Sequence, residues 1–139
     1  MNLQLDEARR IFSGAPFITS LGCQLDQLDA GVCHSHIILE DMHQQQDGYV
    51  HAGVQATLAD HSAGTAAVTL IDKGQRVLTA EFKINLLRAA KGQQLICRSS
   101  VLKPGRVLII AESEIYTLQA DSSLILVAKA TVTLAVINN

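Results

Sequence analysis

Residues 51–71 read HAGVQATLADHSAGTAAVTLI, with six alanines, two glycines and no Lys, Arg or Glu. Without a proline in the run, a helix is favoured, although Gly53 and Gly64 each cost about 1 kcal/mol relative to Ala. After DKGQ the character changes. Segments 76–87, 93–102, 106–118 and 124–137 are long, β-branched and partly alternating. Near the end, Ala128, Ala130, Val132 and Leu134 alternate with Lys129, Thr131 and Thr133, giving one buried and one more polar face. One apolar helix followed by four long strands joined by short turns predicts an antiparallel sheet. A helix that is apolar on most sides must be covered, and a long curved sheet covers it by wrapping around it. The expected class is α+β, with the helix as the filling.

The remaining segments fit a single domain spanning residues 1–139. Residues 2–12 suit an amphipathic helix with Leu5, Ala8 and Phe12 on one side. Phe17 to Leu28 reads as extended, with Gly22 as a bulge. AGVCHSHIIL reads as a strand after the Asp29-Ala30-Gly31 turn, and EDMHQQQDGY as a polar loop. Lys103-Pro104-Gly105 reads as a turn between two of the later strands. With no Trp and only five Phe and Tyr residues, the core must be aliphatic.

A net charge of -2 without a basic cluster argues against nucleic acid as a partner. Cys23, Cys33 and Cys97 are odd in number and form no CxxC pair, the usage of a reducing compartment. MNLQLDEARRIF places four charges where an export signal needs an apolar run. Residues 52–71 contain Gln55, Asp60 and His61 and are too polar for a lipid-facing span. The expectation is a cytoplasmic protein without membrane contact.

The question raised by residues 51–71 is their single acid. On a helix, Asp60 shares a face with Gly53, Ala56, Thr57, Ala63, Gly64 and Ala67, all small and none able to pair with it as a cation would. Asp60 could cap a second helix beginning at His61, lie on a solvated face or be a buried structural acid. The fourth reading is a functional acid, because carboxylate chemistry is tuned where ionisable groups sit among small apolar neighbours. His61 is turned about 100° from Asp60 and reads as a packed or interface residue and not as a catalytic partner. His34 and His36 share a strand face, with His43 nearby in sequence, but no Cys or acid has the companion spacing of a metal site. Ser62 and the cysteines lack an evident base partner. Arg88, Lys91, Lys103 and Arg106 lie near strand ends or turns, where they could meet phosphates or simply face water.

The run His51, Ala52, Gly53, Leu58, Ala59, Asp60 resembles the His-Gly-Gly motif, with an Asp nine positions after the His, of hot-dog-fold acyl-CoA thioesterases. Within that family, the chain looks like the phenylacetate-degradation type. The resemblance continues in LTAEFKINLLRAAKGQQL, VLKPGRVLIIAESEIY and AKATVTL, over roughly residues 30–136. It implies a hot-dog fold and hydrolysis of an acyl-CoA without a metal or organic cofactor. It also implies a homotetramer built from dimers. By position, Asp60 would be the catalytic carboxylate and the Ala52 N–H the oxyanion donor at the helix start. His51 would shape that turn, and Gly53 would border the substrate. Gln45 matches a position where the family has Asn contacting the thioester or water, and Thr79 a hydroxyl residue that assists the attacking water. Ala52 stands where the motif has its first Gly, and Gln45 is one methylene longer than Asn. Arg88, Lys103 and Arg106 are the candidate contacts for the coenzyme A phosphates.

Ala52 and Asp60 are eight residues apart, about 12 Å along one helix at about 1.5 Å per residue. An oxyanion donor must lie about 2.7–3.1 Å from the developing charge. One helix therefore struggles to place both groups on one carbonyl, whereas two antiparallel helices from paired subunits can. The expected minimal active unit is a homodimer with Ala52 from one chain and Asp60 from its partner. A catalytically silent module that binds acyl-CoA is the alternative. Dehydration or isomerisation on the same fold is a third reading.

Overall fold

The computed structural model describes residues 2–138. Helix α1 spans Leu3–Gly14, α2 Pro16–Leu21 and α3 Ala52–Val68. The strands are β1 (Cys23–Asp29), β2 (Val32–Ile38), β3 (Arg76–Leu86), β4 (Gln94–Pro104), β5 (Leu108–Leu118) and β6 (Leu124–Ile137). They form one sheet in the order β1-β2-β4-β5-β6-β3, every neighbouring pair antiparallel. Helix α3 touches all six strands, so the sheet wraps around it as the sequence predicts.

The alanines explain how closely helix and sheet approach. Leu58, Ala59, Ala63, Ala66 and Ala67 are wholly buried against Ile37, Leu95, Ala111, Ile115 and Val132. Buried hydroxyls in this seam are paired. Ser62 and Ser35 share a hydrogen bond of 2.6 Å, Ser99 and Ser113 one of 2.7 Å, and Ser113 donates to the Ala59 carbonyl at 2.7 Å. The first and last of these bonds tie the helix to β2 and β5, and the second joins β4 to β5, each stabilising by about 1 kcal/mol. The core is aliphatic as expected, and Phe12 is the one buried Phe or Tyr among the described residues.

Several expectations are corrected. Phe17–Leu28 is not extended throughout, because Pro16 opens α2, its ring preset for a first helical turn. Gly22 is no bulge. It ends that helix at φ +80, where its N–H reaches the Ile18 and Thr19 carbonyls. The irregularity of β1 falls between Leu25 and Gln27. Lys103 and Pro104 still belong to β4, so the turn is Gly105 to Val107. Helix α3 runs unbroken through Asp60, which removes the reading of that acid as a cap.

The sheet's two edges differ. β1 lies against α1 and α2. Among the described residues β3 pairs with β6 alone, and only Val77 and Ile84 of its eleven residues are even partly buried. Its pairing skips a residue between Thr79 and Glu81. Such a bulge reverses the alternation of side chains on either side of it.

Candidate active site

Residues 76–86 alternate, so register decides which side chains look toward the helix. Phe82, Ile84 and Leu86 sit opposite the core residues Val132, Ala130 and Ala128 and share their face. Glu81 and Lys83 sit opposite Thr133 and Thr131 on the other face. Strict alternation would put Thr79 with Glu81, away from α3. The extra residue Ala80 reverses this, pairing Thr79 with the buried Leu134. As a result the Thr79 hydroxyl donates to Asp60 Oδ1 at 2.7 Å.

Asp60 is half-buried in a strip with Ala56, Thr57, His61 and Gly64. Its Oδ2 makes no hydrogen bond, and no Lys or Arg pairs with it among the described residues. The acid borders two apolar hollows. One, toward α1, is lined by Ile11, Gly64, Val68, Val77 and Leu134. The other is lined by Phe17, Ile18, Ala56, Thr57 and Phe82. The aromatic linings Phe17 and Phe82 were not singled out from the sequence. Their signal is visible only as aromatics left exposed in a chain that has few.

His61 is a packed residue. Its Nε2–H donates to the Phe12 carbonyl at 3.0 Å, and its ring lies 4.8 Å from that of Phe12. Burial lowers its pKa from the usual 6.5, outweighing the Phe12 hydrogen bond and nearby Asp60. The unfolded chain then binds this proton more readily than the folded one, so acidification through about pH 6.5 favours unfolding. The Tm of the wild type is expected to fall between pH 7.5 and 5.5 more steeply than that of His61→Gln. Equal slopes in a thermal melt series would refute this contribution.

At the other end of α3, His51 caps the helix, its Nδ1 accepting from the Gly53 N–H at 2.8 Å. A Cβ at Gly53 would meet that nitrogen at 3.0 Å, so the glycine gives the cap its room. The Val54 and Gln55 N–H groups bond to the His51 carbonyl. The Ala52 N–H makes no hydrogen bond among the described residues and is the open donor of the first turn. Ala52 is helical, and Ser122 is the single non-glycine described residue with positive φ, so Ala in place of Gly carries no strain here.

Ala52 shares a hollow with Gln45, Tyr49, Leu86 and Arg88. Gln45 turns its carbonyl to its own loop, accepting from the Asp47 and Tyr49 N–H groups, while its Nε2 makes no hydrogen bond among the described residues. Lys103 and Arg106 are elsewhere, at the β4–β5 hairpin, where Arg106 lines a separate hollow with Leu70 and Asp72. The fold thus collects two groups of expected residues, Asp60 with Thr79 and Ala52 with His51, Gly53, Gln45 and Arg88.

The other candidate nucleophiles are disarmed. Burial pushes Cys23 up to about 11 and raises Cys33 and Cys97 as well, so all three remain thiols at neutral pH. Ser62 is buried against Ser35. His43 has both ring nitrogens engaged, with the Leu21 carbonyl and the Glu40 N–H, and His36 pairs with Asp26 at 2.8 Å. No group of three His, Cys, Asp or Glu residues among the described residues could hold a metal ion. No helix among them is long and apolar enough to cross a membrane.

Comparison with known proteins gives the same frame. A thioesterase family protein from Silicibacter pomeroyi superposes with a TM-score of 0.95 at 32% identity, over 98% of this chain and 99% of that one. The PaaI protein from the phenylacetic acid degradation operon of Escherichia coli has the same fold, with a TM-score of 0.84 at 16% identity, over 99% of this chain and 96% of that one. Acyl-coenzyme A thioesterase 13 of Mus musculus is 28% identical over 78 residues, 55% of each chain. The family model of the thioesterase superfamily matches residues 47–122, which include α3 and its Asp60, β3, β4 and β5. The chain is α+β with the hot-dog arrangement, and it belongs to the thioesterase superfamily.

Proposed function

We propose that the protein hydrolyses an acyl-CoA to a carboxylic acid and free coenzyme A, at a site completed by a second copy of the chain. The observation that carries this reading is Asp60, held by the Thr79 hydroxyl at 2.7 Å between two apolar hollows, with Oδ2 open. Asp60 acts on water or on the thioester carbon, and an apolar acyl group fits the hollows beside it. Thr79 orients the carboxylate and helps to place the attacking oxygen.

Attack on the carbonyl carbon shifts an electron pair to its oxygen. The Ala52 N–H, at the positive end of α3, stabilises that charge. Collapse breaks the carbon–sulfur bond, and the proton removed from water goes to the departing thiolate. Ala52 and Asp60 lie about 12 Å apart along one helix, so the donor for one chain's acid comes from the partner. The minimal unit is a homodimer, extended by the family resemblance to a homotetramer. Arg88, beside Ala52, meets the coenzyme A phosphates as they leave the cleft. Lys103 and Arg106, at the hairpin, are weaker candidates for that contact. A cytoplasmic location, suggested by the free thiols, fits an acyl-CoA substrate.

The test is a panel of aryl, aryl-acetyl and medium-chain acyl-CoAs incubated with the protein and a thiol reagent. At least one member is expected to release thiol with kcat/KM of about 10⁴ M⁻¹s⁻¹ or more. Binding without thiol release across the panel would instead indicate a silent module. A changed acyl chain without free thiol would indicate dehydration or isomerisation.

A further inference from the structure

Resting on the shared-site reading, we propose that the acyl chain lies along α3 from Asp60 over Gly64 to Val68, and that Gly64 sets the length of chain the site accepts. The substrate class is an unbranched aliphatic acyl thioester of roughly eight to ten carbons.

Asp60, Gly64 and Val68 follow at intervals of four and share one face of the helix. All three border the hollow toward α1, whose other walls include Ile11, Val77, Thr79 and Leu134. Glycine inside a helix forgoes the stability that alanine would give, so its presence at residue 64 needs a reason. Crowding supplies none. A Cβ there would meet one neighbour within 4 Å, Leu134 Cδ2 at 3.6 Å, which is ordinary contact. At Gly53 the cap needs the room, but at Gly64 the space left by the missing side chain belongs to the hollow. The bare backbone is its floor, one turn beyond the acid.

Two hollows border Asp60, and the shared site separates their uses. The partner's α3 begins beside Asp60 and, running antiparallel, continues alongside residues 59 back to 52. The hollow of Ala56, Thr57 and Phe82 therefore lies beside the partner's helix. The hollow over Gly64 and Val68 lies beyond that helix's first residue and stays open to a ligand. The coenzyme A arm departs on the partner's side, past its Ala52 amide. The acyl chain, on the opposite side of the carbonyl carbon, enters the hollow over Gly64.

The length of the hollow follows from the helix. Asp60 and Val68 are eight residues apart, about 12 Å along the axis. An extended chain of roughly eight to ten carbons, with zigzag bonds of about 1.5 Å, covers that distance. At its far end Ile11 borders both this hollow and a second one between α1 and residues 73–76. Ile11 is thus the stop, and Gly64 the point where the chain passes closest to the helix.

S-Alkyl coenzyme A thioethers, which bear the chain but cannot be hydrolysed, read the hollow at equilibrium by calorimetry. Each methylene from butyl to octyl is expected to tighten binding to the wild type about three- to fourfold. Gly64→Val should cut the preference for octyl over butyl at least tenfold. Gly64→Ala should cut it at least threefold while raising the Tm by about 3 °C, since alanine is the better helix former. That opposition of affinity and stability separates a role in binding from a role in folding. A fall of less than threefold in Gly64→Ala overturns the proposal, and this variant keeps the test open if Gly64→Val does not fold. Ile11→Ala should act in the other direction, binding the dodecyl thioether more tightly than the decyl one, which the wild type should not do. Equal binding of the two by Ile11→Ala overturns the placement of the chain's end. Thiol release from acyl-CoAs is measured separately. The expected thioether preferences without turnover of any acyl-CoA overturn hydrolysis alone, and turnover with preferences unchanged in the variants overturns the chain's placement alone.

Discussion

Asp60→Asn is expected to lower kcat for acyl-CoA hydrolysis by about 10²–10⁴-fold, the range for losing a positioned acid or base, while KM moves only a few-fold. The substitution isolates chemistry from architecture. Among the described residues Asp60 makes no ion pair whose loss would strand a charge, and an Asn carbonyl still accepts the Thr79 hydroxyl. The Tm is therefore expected to stay within a few degrees of wild type, so lost activity would not reflect lost fold. Thr79→Ala should cost less, roughly tenfold, because it removes one charge-assisted hydrogen bond and leaves the carboxylate in place. Steady-state kinetics with thiol detection decide the matter. Retention of more than a third of wild-type kcat by Asp60→Asn would mean that another group carries the reaction. A single turnover in oxygen-18 water tests direct attack by the acid. Label in the Asp60 carboxylate marks that attack, and label only in the product means that water reaches the acyl carbon, either of the thioester or of an anhydride with Asp60.

Much of this arrangement was legible because local patterns and global packing agree. The alanine-rich run had to be a covered helix, and the β-branched segments after it had to supply the cover. Asp60 stood out by the same logic, as a lone acid on a stripe of small residues. The family resemblance offers Thr79 as a candidate, but its contact with the acid depends on the bulge at Ala80, a register event settled by pairing with a strand some fifty residues later. No window of local sequence contains that information. The helix at Pro16–Leu21 was missed for a different reason. Six residues are too few to display a helical period, and only Pro16 at the first turn and Gly22 at the end mark it. The cations divide similarly. Arg88 follows β3 and is carried to the helix start, whereas the hairpin takes Lys103 and Arg106 elsewhere. Spacing along the chain could not rank them, because turns at opposite ends of one sheet look alike in sequence.

The proposed sharing of the site between chains has a test that neither half can pass alone. Ala52→Pro deletes the proposed oxyanion donor with little structural cost. Ala52 is the first residue of α3, where Pro is well tolerated, and its N–H makes no hydrogen bond among the described residues. His51 before it already has φ -59 and ψ 137, the extended conformation that a following Pro demands. The variant is expected to keep its Tm and lose about 10²–10³-fold in kcat, the cost of one oxyanion donor. Now let Ala52→Pro and Asp60→Asn chains, each nearly inactive, be unfolded together and refolded in equal amounts. In a mixed dimer the acid of the Ala52→Pro chain meets the amide of the Asp60→Asn chain, and that one site is intact. The other site carries both defects. Random pairing makes half of the dimers mixed, so the mixture should recover about one quarter of wild-type activity under twofold symmetry. If both groups served the same site from one chain, every site in every dimer would carry a defect, and mixing would restore nothing. The size of the recovery thus reports where the amide comes from, whichever of its two roles Asp60 performs.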